Sequence, residues 1–137
     1  IFACGHDGGD LSMSNLVSNS GVVATDVTGV GTARSYARGC TYGGDKGIFA
    51  YGYAGGNVSM SNLVSSSGVV SADVTGVGTA RRVTAATEYG VGLGIYAYGY
   101  GTSAFNGSNL VSYSGVISSD VTGVGSARYS LGACQFG

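Results

Sequence analysis

Hydrophobic residues fall in short runs along the chain, separated by clusters of glycine and serine. Small and aromatic residues alternate over 48–53, so a strand pleat would place Phe49, Tyr51 and Tyr53 on one face. Further runs bounded by glycine or serine follow at 61–65, 69–72 and 79–89. No apolar period of 3.6 residues accompanies them, and Gly, Ser, Thr and Val are poor helix formers. The pattern therefore predicts an all-β fold of short strands.

The same pattern returns every 47 residues without insertion. Ile1-Phe2-Ala3 recurs as Ile48-Phe49-Ala50 and as Ile95-Tyr96-Ala97. The first two copies agree at 29 of 47 positions, so the period reflects one structural unit repeated. We predict a single repeat domain over 1–137, made of the four-stranded units 1–47, 48–94 and 95–137.

Composition narrows the class of protein. The chain is 44% hydrophobic and only 9% charged, and it contains 27 glycines and 10 tyrosines. Disordered chains combine low hydrophobicity with high net charge, which does not fit this composition. The net charge of −1 lacks the basic surface that nucleic acid requires, and no apolar run is long enough to span a membrane. Because the chain begins at Ile1 without a Met, we expect that a leader was removed or that these residues belong to a longer protein.

Each unit carries Thr-Ala-Arg or Ser-Ala-Arg, then a small-residue strand, a glycine turn and the strand beginning at Ile1, Ile48 or Ile95. This order resembles the Kelch repeat, in which an Arg enters the innermost strand and a glycine-rich hairpin leads to the second. The family's Gly-Gly doublet is replaced by Cys4-Gly5-His6, Tyr51-Gly52-Tyr53 and Tyr98-Gly99-Tyr100, and its Trp is missing. Such Tyr/Gly-rich units are also similar to repeats in virion and tail-associated proteins of bacteriophages. The resemblance implies a β-propeller that acts as a binding scaffold rather than an enzyme, outside the cell or on a virion surface.

Three blades are too few for a propeller, which has four to eight. We therefore expect a homodimer in which a second chain completes six blades and covers both open sheet edges. The alternative is a purely structural subunit that polymerises through its open blade edges into a fibre or lattice.

An acidic and a basic residue recur eight positions apart in every unit. The pairs are Asp26 with Arg34, Asp73 with Arg81, and Asp120 with Arg128. They could form a ring of ligand-binding charges, or the Asp could bond turn amides while the Arg braces the linker between blades. Repetition in every unit favours the structural interpretation.

The loop after the second strand of each unit differs between copies. We predict that it binds the ligand through His6, Asp10, Tyr53, Asn57, Tyr100, Phe105 and Asn106. Aromatic rings beside amides suit stacking on a glycan or contact with a receptor protein. The alternative is that these loops vary because little constrains them.

No catalytic group, metal site or cofactor is predicted. Thr28-Gly29-Val30-Gly31 lacks the Gly-Lys-Ser/Thr of a phosphate-binding loop. The calcium-like turn Asp7–Asp10 has both its acids in one unit only, and His6 has no nearby nucleophile in the sequence.

The three cysteines Cys4, Cys40 and Cys134 lack zinc-site spacing. With a hairpin turn near Asp45, Cys40 would lie opposite Ala50 or Tyr51. Shifting that register by whole repeats places Cys134 opposite Cys4, or one residue away, across the ring-closing junction. We therefore predict a Cys4–Cys134 disulfide between chains, with three unpaired cysteines as the alternative. A disulfide would favour an oxidising location.

Overall fold

The computed structural model describes residues 1–136, which contain eight strands and no helix. The strands are β1 (Phe2–His6), β2 (Asp10–Asn15), β3 (Arg38–Tyr42), β4 (Lys46–Tyr53), β5 (Asn57–Val64), β6 (Ala85–Tyr89), β7 (Leu93–Tyr100) and β8 (Ala104–Val111). They form three antiparallel sheets, ordered β1-β2, β3-β4-β5 and β6-β7-β8. The all-β prediction is confirmed. The six-bladed ring closed by a second chain stays a prediction.

The third predicted strand of each unit, which is 69–72 in the second, is an irregular segment rather than a strand. After β5 the chain returns beside it and forms only isolated bridges, Ser61 with Val74 and Val64 with Val70. In the second unit the Leu63 amide donates to the Ser71 hydroxyl oxygen at 3.0 Å, and in the third the Leu110 amide donates to the Ser118 hydroxyl oxygen at 3.0 Å. Serine hydroxyls that bond the backbone compete with the regular ladder in this way.

The hairpin between β3 and β4 turns one residue earlier than expected. Cys40 pairs with Ile48, and Tyr42 pairs with Lys46. The turn is centred on Gly44, whose φ of +82° suits glycine. A turn centred one residue earlier moves every partner by two, so the predicted pairing of Cys40 with Ala50 or Tyr51 is wrong.

The predicted common face of Phe49, Tyr51 and Tyr53 is also wrong. Tyr51 has a left-handed φ of +61°, and the pairing of β4 with β5 shifts register at this point. Strict alternation is lost, so the neighbours Ala50 and Tyr51 are both fully buried in the core, whereas Phe49 lies outside it.

The core lies between the second and third units. Its buried members are Tyr42 from the end of the first unit, Ile48, Ala50 and Tyr51 from the second, and Tyr96, Val111 and Ile117 from the third. The rings of Tyr51 and Tyr96 meet edge to face with centroids 5.3 Å apart. Strand β3 lies against β6 and β7, so the first strand of one sheet covers the next sheet.

Candidate functional site

Arg81 is a fully buried arginine that joins the second unit to the third. Its Nε donates to the Tyr98 carbonyl at 2.8 Å, and its Nη2 donates to Asn109 Oδ1 at 2.7 Å. Its Nη1 donates to the Thr79 carbonyl at 3.0 Å, and its guanidinium lies 4.0 Å from the Tyr51 ring centroid. Every nitrogen of the group therefore has an acceptor, as a buried charge requires.

Asp120 completes this connection from the third unit. Its carboxylate accepts the Thr79 amide at 3.0 Å and the Thr79 hydroxyl at 2.6 Å. It also accepts from Asn109 Nδ2 at 2.9 Å and lies 4.0 Å from Arg81 Nη1. An aspartate of one unit thus holds the Thr-Ala-Arg segment of the unit before it, and we name this arrangement of Asp, Asn, Thr and Arg the junction motif.

The first and second units are joined by the same motif. Asp73 accepts from the Thr32 amide at 3.0 Å and from Asn62 Nδ2 at 2.9 Å. The buried Arg34 donates from Nη2 to the Phe49 carbonyl at 3.3 Å, but its Nε has no hydrogen-bond partner within residues 1–136. The first junction is therefore less completely bonded than the second.

The carboxylates of the junction motif are held in the charged form. Burial acts to raise the pKa of Asp73, but hydrogen bonds from Thr32 and Asn62 and the charge of Arg34 outweigh it, so the pKa lies below the usual range. The pKa of Asp120 is lowered by its own Thr, Asn and Arg neighbours in the same way. Both junctions are therefore built for ionised aspartates.

A second feature is a partly exposed surface, in which half-buried Tyr53, Arg82 and Tyr100 lie beside the exposed Tyr36 and Tyr129. The Arg82 guanidinium lies 5.0 Å from the Tyr53 ring centroid and 5.3 Å from that of Tyr100. The Tyr129 ring meets Tyr100 edge to face at 5.2 Å. With Tyr36, which lines an open cavity of about 340 Å³ beside Arg82, these residues form what we call the tyrosine–arginine face.

Of the predicted ligand residues, the structure brings together Tyr53, Asn57 and Tyr100. Asn57 accepts from Arg82 Nη1 at 3.3 Å and donates to the Gly101 carbonyl at 2.9 Å, so it orients the arginine and ties two units together.

The other predicted ligand residues lie elsewhere. Phe105 packs 4.9 Å from the buried Arg81 guanidinium, and Asn106 donates to the Gly125 carbonyl at 3.0 Å. His6 Nδ1 lies 3.6 Å from Asp10 Oδ1 in the first unit. Phe105 therefore belongs to the second junction rather than to the exposed face.

Sequence reasoning missed Tyr36, Arg82 and Tyr129. The available signal was variation between copies, because Ser35, Arg82 and Tyr129 occupy one repeat position and differ completely. A position that changes directly after the repeated Thr-Ala-Arg or Ser-Ala-Arg is free of the repeat's structural demands.

The three cysteines are unpaired in this chain. Cys4 and Cys40 are partly buried, and Cys134 is exposed. Burial raises the pKa of Cys40 to about 11, with the Tyr96 hydroxyl and the Ile95 backbone opposing the shift. The observed β3–β4 register, shifted by whole repeats, places Cys134 opposite Ile1 and removes the basis for a Cys4–Cys134 bond.

The part of the chain that the structure describes has no cluster of three or more metal-ligating side chains. It also has no helix long and apolar enough to cross a bilayer. Neither a scan of protein-family models nor a search of curated proteins gave a match to this chain. The class of protein that the fold defines is thus an all-β repeat protein with one small sheet per unit.

Proposed function

We propose that this chain is a non-enzymatic binding module of the β-propeller type that recognises a glycan through its tyrosine–arginine face. The observation that carries the proposal is the placement of Arg82 between Tyr53 and Tyr100, beside the exposed rings of Tyr36 and Tyr129. Tyrosine rings stack on the apolar faces of sugars, and a guanidinium bonds sugar hydroxyls or carboxylates.

The cavity of about 340 Å³ at this face supports a small occupant such as one or two sugar rings. Its rim is already ordered, because Asn57 bonds Arg82 and Tyr100 packs on Tyr129. A binding surface that is ordered in advance loses less entropy when the ligand arrives.

The packing of the sheets supports the propeller arrangement. The second and third sheets approach each other mainly through β3, which lies against β6 and β7. Sheets that converge at their first strands and separate at their last fan out like blades around an axis. We propose that three such units form half of a six-bladed ring completed by a second copy, and the likeness to Kelch and phage-tail repeats favours an extracellular or virion-surface setting.

The test is a glycan array probed with the chain and with matched variants. Tyr36→Ala and Arg82→Ala should each weaken binding by about 1 kcal/mol or more if these side chains anchor the sugar. Tyr113→Ala is the control, since Tyr113 is equally exposed but lies at the hairpin end of the sheets, beside Gly43 and Gly92. Equal losses in all three variants, or no glycan bound by the parent chain, would argue against this function.

A structural subunit that polymerises is the second candidate. The observation that favours it is apolar exposure at both ends of the molecule, with Phe2 61% and Phe136 94% exposed. Negative-stain microscopy of the same samples separates the two candidates, because filaments without glycan binding support the structural one.

A further inference from the structure

The two ends of the chain present opposite halves of the junction motif. Within residues 1–136, Asp26 accepts only from Asn15, whereas Asp73 and Asp120 each also hold a threonine of the unit before. At the other end, Ser126 and Arg128 occupy the repeat positions of Thr79 and Arg81.

Asp26 and Asn15, which form the acidic half of the motif, already have the geometry of a complete junction. Asn15 Nδ2 donates to Asp26 Oδ1 at 2.7 Å and to the Ala24 carbonyl at 3.1 Å. In the complete second junction, Asn109 makes the same two bonds at 2.9 Å, to Asp120 and to the Ser118 carbonyl. This end therefore needs no rearrangement to accept a Thr-Ala-Arg or Ser-Ala-Arg segment.

Ser126 and Arg128, which form the basic half of the motif, also have the local contacts of a complete junction. The Arg128 guanidinium lies 4.2 Å from the Tyr98 ring centroid and donates to the Ser126 carbonyl at 3.1 Å. Arg81 makes the same contacts with Tyr51 and Thr79, but Arg81 is buried whereas Arg128 is exposed. The difference is that the second junction has a following unit to cover its arginine.

The first sheet also lacks the strand that covers its neighbour. In the other two sheets a first strand, β3 or β6, pairs with the next, whereas β1 pairs only with β2. The segment 132–136 stands at the repeat position of β3 and β6, yet it is not in a sheet and every residue of it is exposed.

An unfilled space marks where that strand belongs. A cavity of about 760 Å³ between the first and second units is lined by Ile1, Leu16 and Gly68, and a second of about 330 Å³ lies between Ile1 and the β3–β4 hairpin. Between the second and third sheets the corresponding space is filled, because Tyr42 of β3 packs against Gly115. Phe136 and Gly68 are the repeat equivalents of Tyr42 and Gly115.

We propose that a second copy of this chain docks head to tail at this open end. Ser126 and Arg128 of one copy bind Asp26 of the next, and segment 132–136 pairs with β1 and places Phe136 in the larger cavity. The observed β3–β4 register, moved by whole repeats, pairs Gly132 with Ala3, Ala133 with Phe2 and Cys134 with Ile1. This proposal rests on the part of the proposed function in which a second copy completes the ring, and it names the contacts between the two copies. It does not involve the glycan.

Sedimentation velocity over a concentration series tests the proposal on the 137-residue chain. Asp26→Ala and Arg128→Ala should each weaken association about 30-fold or more, since each leaves a charge without its partner in the interface. Phe136→Ala should weaken it about tenfold or more through lost apolar burial. Val91→Ala, an exposed apolar residue at the β6–β7 hairpin turn, is the control and should leave association unchanged.

Mixing the variants distinguishes this arrangement from other dimers. Asp26→Ala and Arg128→Ala chains together retain one intact junction, so the mixture should associate more tightly than either variant alone. A symmetric face-to-face dimer would gain nothing from mixing and would overturn the proposal. A parent chain that stays monomeric at every concentration would overturn it too.

Two further readouts separate this proposal from the proposed function. Head-to-tail contacts close into a ring or continue as a filament, depending on the rotation between copies. Discrete dimers support both the junction and the six-bladed ring, whereas filaments support the junction and contradict the ring. Alkylation of Cys134 should slow on assembly, and an alkylation rate independent of concentration would overturn the pairing of segment 132–136 with β1.

Discussion

The junction between the first and second units differs from the junction between the second and third, although both use one motif. In the second, Tyr51 lies beneath Arg81 and the Tyr96 hydroxyl donates to the Ile48 carbonyl at 2.7 Å. In the first, Cys4 and Phe49 stand at the repeat positions of Tyr51 and Tyr96. An aromatic pair and a buried hydroxyl are therefore missing there, and a large cavity remains.

The junction motif sets which units meet, while the aromatic side chains set how tightly they pack. Both junctions keep the aspartate bonds at nearly equal lengths, 3.0 Å from each threonine amide. Only the second buries a continuous cluster of tyrosines, and burying such side chains is the larger source of stability.

The largest expected difference comes from removing the two buried arginines. Arg81→Ala should destabilise the chain by about 3 kcal/mol or more, because it leaves the Tyr98 carbonyl and Asn109 Oδ1 without a donor. Arg34→Ala should cost clearly less, since the bonds of Arg34 are longer and its Nε has no partner within residues 1–136. Urea denaturation of both variants measures the difference, and equal losses would contradict the comparison.

The aromatic contribution can be transferred from one junction to the other. Cys4 already has a φ of +63°, close to the +61° of Tyr51, so the backbone accepts a tyrosine there. Cys4→Tyr should place a ring under Arg34 and stabilise the chain by about 1 kcal/mol through the cation–π contact.

The matched variant removes a group from the tighter junction. Tyr96→Phe should destabilise by about 1–3 kcal/mol, because the Ile48 carbonyl loses its donor. Thermal melting of Cys4→Tyr and Tyr96→Phe tests both predictions. If neither substitution changes the melting temperature, the aromatic groups do not determine how tightly the units pack.

Features that depend on local patterning could be predicted from the sequence, whereas features that depend on irregular backbone or on distant residues could not. The 47-residue period and the all-β class follow from local patterning, which a single sequence contains. The different burial of Phe49 and Tyr51 could not be predicted, since alternation assumes a regular strand and Tyr51 adopts a left-handed conformation. The partner of Asp73 lies 41 residues earlier, at Thr32, and sequence spacing pointed only to the arginine eight residues later.

The candidate site was predicted in part. Tyr53, Asn57 and Tyr100 were singled out because the predicted loop varies between units, and the structure brings them together at the ends of β4, β5 and β7, while their binding role stays a prediction. Arg82 was overlooked because it directly follows Arg81, and only the repeated Arg81 was considered, as a structural residue. Side chains next to each other in sequence point to different surroundings at a β-bridge, so one is buried and the other stacks between tyrosines.

Acid should weaken both junctions alike. The pKa values of Asp73 and Asp120 are lowered in the folded chain, so their stabilisation is present above the ordinary aspartate pKa of about 3.8. It is lost as the pH falls from that value through the lower folded pKa. Melting curves at decreasing pH should show this loss, and Asp73→Asn with Asp120→Asn should remove most of it. A loss of stability that begins near neutral pH would point to other groups.

The smallest expected effect concerns thiol reactivity. In the unassembled chain, Cys134 should react with iodoacetamide first because it is exposed. Cys40 should react slowly at pH 8, since its pKa of about 11 leaves little thiolate. Mass spectrometry of partly labelled protein gives the order, and Cys40 labelling as fast as Cys134 would mean that β3 is not packed against the third unit.

Amide hydrogen exchange at Thr32, Thr79 and Ser126 compares one repeat position at the first junction, the second junction and the proposed junction between copies. In the dilute chain we expect Thr79 to exchange slowest, Thr32 faster, and Ser126 as an unprotected amide, since only the first two donate to an aspartate. Raising the protein concentration should then protect Ser126 alone. A Ser126 amide as protected as Thr79 in the monomer, or a Thr79 amide that exchanges freely, would contradict the account.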